Sequence, residues 1–586
     1  MKRIKLFYGL TLLLIISLSG CNIFDDDTTT IDDEIKSEIT DNITESVTWK
    51  EGSTIIIGEG IRVGGSQTVV ITIEPGVTVK FAEGAYLDFA YRDDTYATII
   101  AKGTKDKPIK FTSNSPSSAA GDWKGLCFYK GAVNCEFDNC IFEYGGSNDS
   151  YGNIYIEDAA VSITNCQFLN SASTGIVLKE AGSFAAFTGN TFTAMHNYPI
   201  SIYPNGISSM DKRNTYESGS VIYVDADNNL TQSGSFTWKN QGIPFVFDGG
   251  LRAGTKNSQG MQLIIEPGVV IRFTENSYID FSYWDDEYAT VIAKGTADNH
   301  IVFTSNSPSQ AAGDWKSLNF YKGAVNCEFE YCDFKYGGAY EYHGLVYIED
   351  KVSFKNCNFT NSKSYGIRLD ETGEFSAFTN NSFSNHQIAP VYIYPNAVTT
   401  MGTSNSFESG SMIVVYASAN LDKSGNHTWL NQGVPYRMSG QMRVGSTNGT
   451  TLTINAGTVL AFESGSGIEV AYWDENTGKL ICNGEIDNIV TFTSVSPSPQ
   501  KGDWKGIYFD KNVAGSKLEH CLIDYAGSNE YNGAVSLDDS GNNTITISNS
   551  TISHSASYGI TVDNNSSVDY STVTFIDNDG EDYHVR

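Results

Sequence analysis

Phe111-Thr-Ser-Asn-Ser-Pro-Ser-Ser-Ala-Ala-Gly-Asp-Trp-Lys-Gly-Leu-Cys-Phe-Tyr-Lys130 runs on into Gly131-Ala-Val-Asn-Cys-Glu-Phe-Asp-Asn-Cys-Ile-Phe-Glu-Tyr-Gly-Gly146. Nearly the same words return from Phe303 through Gly338, and a looser copy runs from Phe492 through Gly527. The Trp of Gly-Asp-Trp falls at Trp123, Trp315 and Trp504, so the copies are almost evenly spaced. Self-similarity at a fixed period is the mark of a stacked architecture. An active site normally occurs once in a chain, whereas a feature present three times is scaffold or a multivalent surface.

Working outward, each copy opens near a Trp (Trp49, Trp238, Trp429). It then carries an alternating strand closed by a Pro-Gly or Ala-Gly corner: Ile71 to Phe81, Ile264 to Phe273 and Leu452 to Phe462. Alternation with period two means one buried face and one wet face. A shorter beat runs inside each copy. Asn139-Cys-Ile-Phe142 is followed by Asn165-Cys-Gln-Phe168 and then by Gly189-Asn-Thr-Phe192. The second copy repeats this with Cys332-Asp-Phe334, Cys357-Asn-Phe359 and Asn381-Ser-Phe383. Between them lie Gly175-Ile-Val-Leu178, Gly366-Ile-Arg-Leu369 and Gly559-Ile-Thr-Val562. Short strands joined at Asn and Gly corners every ~25 residues predict stacked β coils. The 56 Gly, 33 Tyr and 31 Phe against 13 Pro fit an all-β chain with many turns.

These Asn-x-x-Phe and Gly-Ile-x-Leu coils resemble the right-handed parallel β-helix family, the pectate-lyase-like solenoids. The resemblance covers roughly residues 45–586. It is specific for fold and weak for activity, because the family includes lyases, hydrolases and non-enzymatic surface proteins. The fold class expected is an all-β, right-handed parallel β-helix solenoid built from three ~190-residue repeats of ~25-residue coils. The expected boundaries are 45–231, 232–422 and 423–586, the third copy being shorter and ending near the position of Ile202. Eight rungs per repeat would stack about 24 rungs into a rod on the order of 110 Å long. Three separate stacks are the alternative.

Comparing the copies sorts the side chains. Leu126/Phe128, Leu318/Phe320 and Ile507/Phe509 stay apolar and are expected inside. Cys127, Asn319 and Tyr508 between them vary and are expected to point out.

Residues 1–20 begin with three positive charges and continue into a short apolar run, which describes a secretory signal rather than a spanning helix. Leu18-Ser-Gly-Cys21 resembles the bacterial lipobox, which implies lipid attachment at Cys21 and anchoring in an outer membrane. The bland alternative is an ordinary signal whose Cys is incidental. Residues 21–44, with Asp25-Asp-Asp27 and Asp32-Asp-Glu34, are expected to be a disordered acidic tether. Acids placed there resemble the surface-export signal of Bacteroidetes lipoproteins, which implies display on the cell surface.

The 38 basic and 68 acidic residues leave a net charge of −30, and −33 without the signal. That balance repels nucleic acid, anionic bilayers and strongly anionic glycans. Membrane contact is expected through the lipid alone, and the chain is expected to be a monomer. Nine cysteines follow Cys21. Rungs ~4.8 Å apart could pair Cys140 with Cys166, but the stacked position of the third copy sets Cys521 above Ser550. Inward free thiols acting as small apolar groups are the favoured reading. No cysteine or histidine cluster with zinc spacing occurs.

The recurrent candidate for binding is aromatic plus acid: Tyr91-Arg-Asp-Asp94, Tyr283-Trp-Asp-Asp286 and Tyr472-Trp-Asp-Glu475. Aromatic faces stack on the apolar faces of sugars and carboxylates accept hydroxyl hydrogen bonds. The candidate glycan-binding residues are therefore Tyr91, Asp93, Tyr283, Trp284, Asp285, Tyr472, Trp473 and Asp474. Three copies on one side of a rod would raise avidity. The rival reading is a structural loop, and Arg92 in place of Trp weakens the idea of three equal sites. Asp122 and Lys124 of Gly-Asp-Trp-Lys resemble an acid–base pair, but a turn with a packing Trp is the better reading. Glu157-Asp158, Glu349-Asp350 and Asp538-Asp539 could hold Ca²⁺, although solvated corner acids are commoner, and no cofactor is expected. No catalytic residues are assigned, since no unique cluster of Asp, Lys, Arg and His stands apart from the repeats. The function expected is a surface-anchored, non-enzymatic, adhesin-like protein that contacts polysaccharide. A polysaccharide lyase or glycoside hydrolase is the alternative, and an envelope spacer the second.

Overall fold

The computed structural model describes residues 36–472, 475–528, 533–538 and 544–586. Within them the chain is short β-strands, with one 3-10 turn at Pro204–Ser209 and one short helix at Pro395–Val398. The signal segment, Cys21, Trp473, Asp474 and Asp539 lie outside the described residues. The chain divides into two compact units. The first reaches Asp225 and includes Lys239–Phe245; the second comprises Ala226–Trp238 and Val246–Arg586.

In the first unit successive strands fall on three faces in turn, and each pairs in parallel with the strand one coil away. The first face includes Thr78–Phe81, Ile109–Ser113, Cys140–Glu143, Gln167–Ser171 and Thr191–Met195. The second includes Gly60–Val63, Tyr86–Phe89, Gly125–Phe128, Ile154–Glu157, Ile176–Lys179, Ile200–Ile202 and Ile222–Asp225. The third has six strands, from Val47–Trp49 to Ser183–Thr188. This is an all-β parallel solenoid, as the coil pattern requires. Two expectations change. Lys36–Ile39 pairs with Thr54–Ile57, so the acidic segment before residue 45 already enters the coil stack. The second face also has seven strands in this repeat rather than eight. Leu87 pairs with Leu126 but Phe168 pairs with Phe192, so coils differ widely in length and the long corners consume chain.

In-register stacking makes identical side chains meet their own kind. Phe111, Phe142, Phe168 and Phe192 form a stacked column with ring centroids 4.9, 4.9 and 4.7 Å apart. Phe303, Phe334, Phe359 and Phe383 form its counterpart at 5.1, 4.8 and 4.8 Å. Beside each column runs a polar one. The Cys166 amide donates to Asn190 Oδ1 at 2.9 Å, and the Asn190 amide donates to Asn214 Oδ1 at 3.0 Å. Below them the Cys140 amide points at Cys166 Sγ at 3.4 Å. In the third repeat the Cys521 amide donates to Ser550 Oγ at 2.9 Å. Cysteine, asparagine and serine thus fill one role, accepting the corner amide of the coil before. All nine described cysteines are buried and free.

The Gly-Asp-Trp segment is a turn with a packing indole in every copy. Asp122, Asp314 and Asp503 each accept a serine hydroxyl at 2.6 Å, from Ser113, Ser305 and Ser494. Each also accepts a backbone amide across the turn, at 2.9, 2.9 and 3.0 Å. Trp123, Trp315 and Trp504 are fully buried, stack on Phe81, Phe273 and Phe462, and donate Nε1–H to a strand carbonyl.

In the second unit the junction between repeats is off-phase. Strands Gly250–Ala253, Tyr278–Phe281, Leu318–Phe320, Val346–Ile348, Tyr365–Leu369, Ala389–Ile393 and Ile413–Val415 form the second face of the middle repeat. The next strand in that same sheet is Tyr436–Met438, which opens the first face of the last repeat. The last repeat's own second face, from Gln441–Val444 to Tyr583–Val585, is a separate six-stranded sheet. A repeat is therefore not a whole number of turns.

Candidate functional site

An outward row on the second face of the middle repeat gathers the polar and aromatic chemistry of the second unit. Alternation sends Ile279, Leu318, Val346 and Ile367 inward, so their neighbours point out. Register then aligns Arg252 with Asp280, Asp280 with Asn319, Asn319 with Tyr347, Tyr347 with Arg368, Arg368 with Tyr392, and Tyr392 with Val414. At ~4.8 Å per coil the row is about 30 Å long.

One end of the row is a buried polar chain. Arg252 Nε lies 3.8 Å from Asp280 Oδ2. Asn319 Nδ2 donates to Asp280 Oδ1 at 2.6 Å, and Asn319 Oδ1 faces His343 Nδ1 at 2.9 Å. The carboxylate fixes the amide orientation, so His343 donates from Nδ1 and keeps a bare Nε2. Asp280 and Asn319 are both 3% exposed. Burial pushes Asp280 up to about 6 against the opposing pull of Asn319, Arg252 and Lys316. Burial, then the Arg368 charge, pulls His343 down to about 4. Burial also raises Glu349, which accepts the Tyr347 hydroxyl at 3.0 Å.

Beyond that end the row is aromatic. His343 stacks on Tyr347 at 4.2 Å, Arg368 lies over Tyr392 at 4.5 Å, and Tyr394 meets Tyr416 edge-on at 5.5 Å. Tyr340, Tyr342 and Tyr416 are 47%, 65% and 39% exposed at its rim.

The aromatic-acid loops begin where this face ends, each after a residue in the left-handed region: Ala90, Ser282 and Ala471. All three share one contact. Arg62 lies over Tyr91 at 4.4 Å, Arg252 over Tyr283 at 4.2 Å and Arg443 over Tyr472 at 4.1 Å. One ring face of each Tyr is thereby taken. Tyr91 and Tyr283 also meet Tyr129 and Tyr321 edge-on. Trp284 stands against Tyr283 and is 52% exposed, and Asp93 and Asp285 are exposed. The loops of the second unit do not share a side. The loop after Phe281 leaves the thirteen-stranded sheet, whereas the loop after Val470 leaves the six-stranded one.

The sequence comparison missed Arg252, Asp280, His343, Tyr347, Arg368 and Tyr392. His343, Tyr347, Arg368 and Tyr392 vary between copies, and variation reads as mere exposure, whereas Arg252 and Asp280 recur as Arg62 with Asp88 and Arg443 with Glu469 and read as scaffold. Cys127, Asn319 and Tyr508 do point outward yet are 1%, 3% and 6% exposed, because corner loops fold over the face. Tyr129 and Tyr151, for instance, pack over Cys127. At the acidic corners, Glu157, Glu349 and Asp538 accept the hydroxyls of Tyr155, Tyr347 and Tyr508. Among the described residues no group of three or more His, Cys, Asp or Glu is placed to hold a metal ion.

No curated protein matches the chain. Residues 39–168, which begin in the first described strand and end in the phenylalanine column, match the family model of the pectate-lyase-like β-helix domain, and the parallel coils of both units have the fold that this match implies.

Proposed function

We propose that this protein is a surface-anchored, non-enzymatic β-helix lipoprotein that binds polysaccharide through the outer row of its middle repeat. The supporting observation is the ~30 Å outward row that carries Tyr347 and Tyr392, with the half-exposed Trp284 beside Arg252 at one end and Tyr416 beside Tyr392 at the other. Successive aromatic faces suit successive sugar rings, and the arginines and carboxylates between them suit hydroxyls. Lipid attachment at Cys21 and display from an outer membrane rest on the lipobox-like Leu18-Ser-Gly-Cys21 and the acidic stretch behind it.

The test is native electrophoresis through gels containing different polysaccharides, stained afterwards for the polysaccharide. Retardation is expected without clearing. Trp284→Ala should weaken it about tenfold, or ~1.4 kcal/mol. Unchanged migration in every gel would leave an envelope spacer as the reading.

A second reading has one observation in its favour. Among the described residues the Asp280–Asn319–His343 chain occurs in the middle repeat, where the other copies hold Asp88 with Cys127 and Glu469 with Tyr508. A buried carboxyl titrating near 6 is what a glycoside hydrolase or lyase requires of its acid. A cleared zone that Asp280→Asn abolishes would establish that reading instead.

A further inference from the structure

The first two ~190-residue repeats carry the same stretch after their phenylalanine columns, and these two copies align residue by residue. Thr191 to Val246 aligns with Ser382 to Arg437 without a gap. In the first unit the site is full: Tyr198 stacks on Tyr223 with centroids 5.0 Å apart and planes 20° apart. In the second unit those two positions are Ala389 and Val414, and a pocket of about 370 Å³ opens where the rings would lie. Phe383, Pro390 and Met412 supply further apolar wall.

The same comparison adds polar groups at the pocket's edges. Met195 becomes His386, and Val246 becomes Arg437, both lining the opening. His386 is held against the backbone of Gly366, where a β-carbon would come within 2.9 Å of its ring. Neither ring nitrogen reaches a hydrogen-bond partner, and both are sealed from bulk water. The Phe359 backbone favours its charged form without attaining hydrogen-bond geometry. A buried polar atom left without a partner costs about 1–3 kcal/mol, so a turn of the ring that brings either nitrogen to a ligand hydroxyl offsets part of that cost. Burial pulls His386 down to about 4, which keeps the ring neutral, with one donor and one acceptor nitrogen. Beside it Arg437 Nε pairs with Glu463 at 2.6 Å, and Glu408, which accepts the Asn385 amide at 2.7 Å, leaves the edge with a net negative charge.

We infer that this pocket is a binding site for a single neutral pyranose ring, whose apolar face packs on Phe383, Met412 and Val414 and whose hydroxyls meet His386 and Arg437. Volume favours one ring, since pockets for drug-sized ligands run upward from about 300 Å³. The negative charge of Glu408 argues against an anion. The ring arrives as a free monosaccharide or as the end of a chain. In the second case the inference rests on the polysaccharide reading above.

The experiment is saturation-transfer NMR with methyl glycosides of glucose, galactose and mannose, and with oligosaccharides of any polysaccharide that retards the protein. The variants are Ala389→Tyr/Val414→Tyr, His386→Met and Trp284→Ala. The double variant restores the residues with which the first repeat already packs, so it is expected to fold; a melting curve checks this. Wild-type protein and Trp284→Ala should give transfer from at least one glycoside. The refilled variant should give none, and His386→Met should weaken binding at least fivefold. Transfer confined to the terminal ring of an oligosaccharide assigns the chain-end source, and transfer from methyl glycosides alone assigns the free sugar. No transfer in wild type, or equal transfer in the refilled variant, overturns the proposal. Loss of gel retardation in Trp284→Ala with intact glycoside transfer separates the two sites.

Discussion

Asp280 shows how one residue's environment turns a common side chain into a reporter. It is 3% exposed, yet Asn319, Arg252 and Lys316 surround it, and it still titrates near 6 because desolvation outweighs their combined help. Between about pH 4 and 6 the folded chain holds a proton that the unfolded chain has released. Its contribution to stability therefore falls as pH rises through that window, costing on the order of 3 kcal/mol at neutral pH. Asp280→Asn should be more stable than wild type in urea at pH 7.5, by up to that amount, and should lose the advantage at pH 4.5. An advantage of equal size at both pH values would mean that Asp280 is not titrating there. Neither the burial nor the partners were legible in Tyr278-Ile-Asp280, because Asn319 comes from the next coil and His343 from the corner beyond it.

At the scale of the coil corner, the element that matters is the polar column beside the stacked phenylalanines. Its members are named in the sequence by the Asn-Cys-x-Phe beat, but the beat alone leaves two physical roles open to cysteine. The registers decide between them. Cys166 receives the Cys140 amide and passes its own to Asn190, so sulfur stands where the next coils place asparagine oxygen. Burial accordingly raises the thiols of Cys140 and Cys332 well above their ordinary range. Thiol titration of the unreduced protein in denaturant should count Cys127 and its eight described companions as free. Cys166→Asn should cost less than Cys166→Val, since it reproduces the Asn190 arrangement whereas valine leaves the Cys140 amide without an acceptor. A mass loss of two protons per pair before reduction would contradict this. The Gly-Asp-Trp turn was legible outright, because its turn acid, buried indole and partner serine all lie within one short stretch of chain.

At the scale of the second unit, the phase of the repeats governs what can act together. The equivalent loops at Tyr283 and Tyr472 leave different sheets, since the last repeat begins on the face where the middle one ends. A single glycan chain lying along one face meets one loop, so the avidity gain expected of copies on one side is not available to this pair. Combining Trp284→Ala with Trp473→Ala should therefore give the product of the two single losses in glycan affinity. A loss tenfold greater than that product would show both loops holding one chain.

By itself the sequence determined the coil. Period-two alternation, glycine and asparagine corners and a ~25-residue beat are local properties, and parallel stacking is the one arrangement that buries every copy of the same apolar stripe. It also determined the Gly-Asp-Trp turn and the inward phenylalanines, whose partners are their own repeats. The tertiary structure alone decided the outward row from Arg252 to Val414, the phase slip between repeats and the pocket vacated at Ala389. Each depends on how many residues every corner consumes, which sets the register of residues whole coils apart and leaves no periodic trace in the chain.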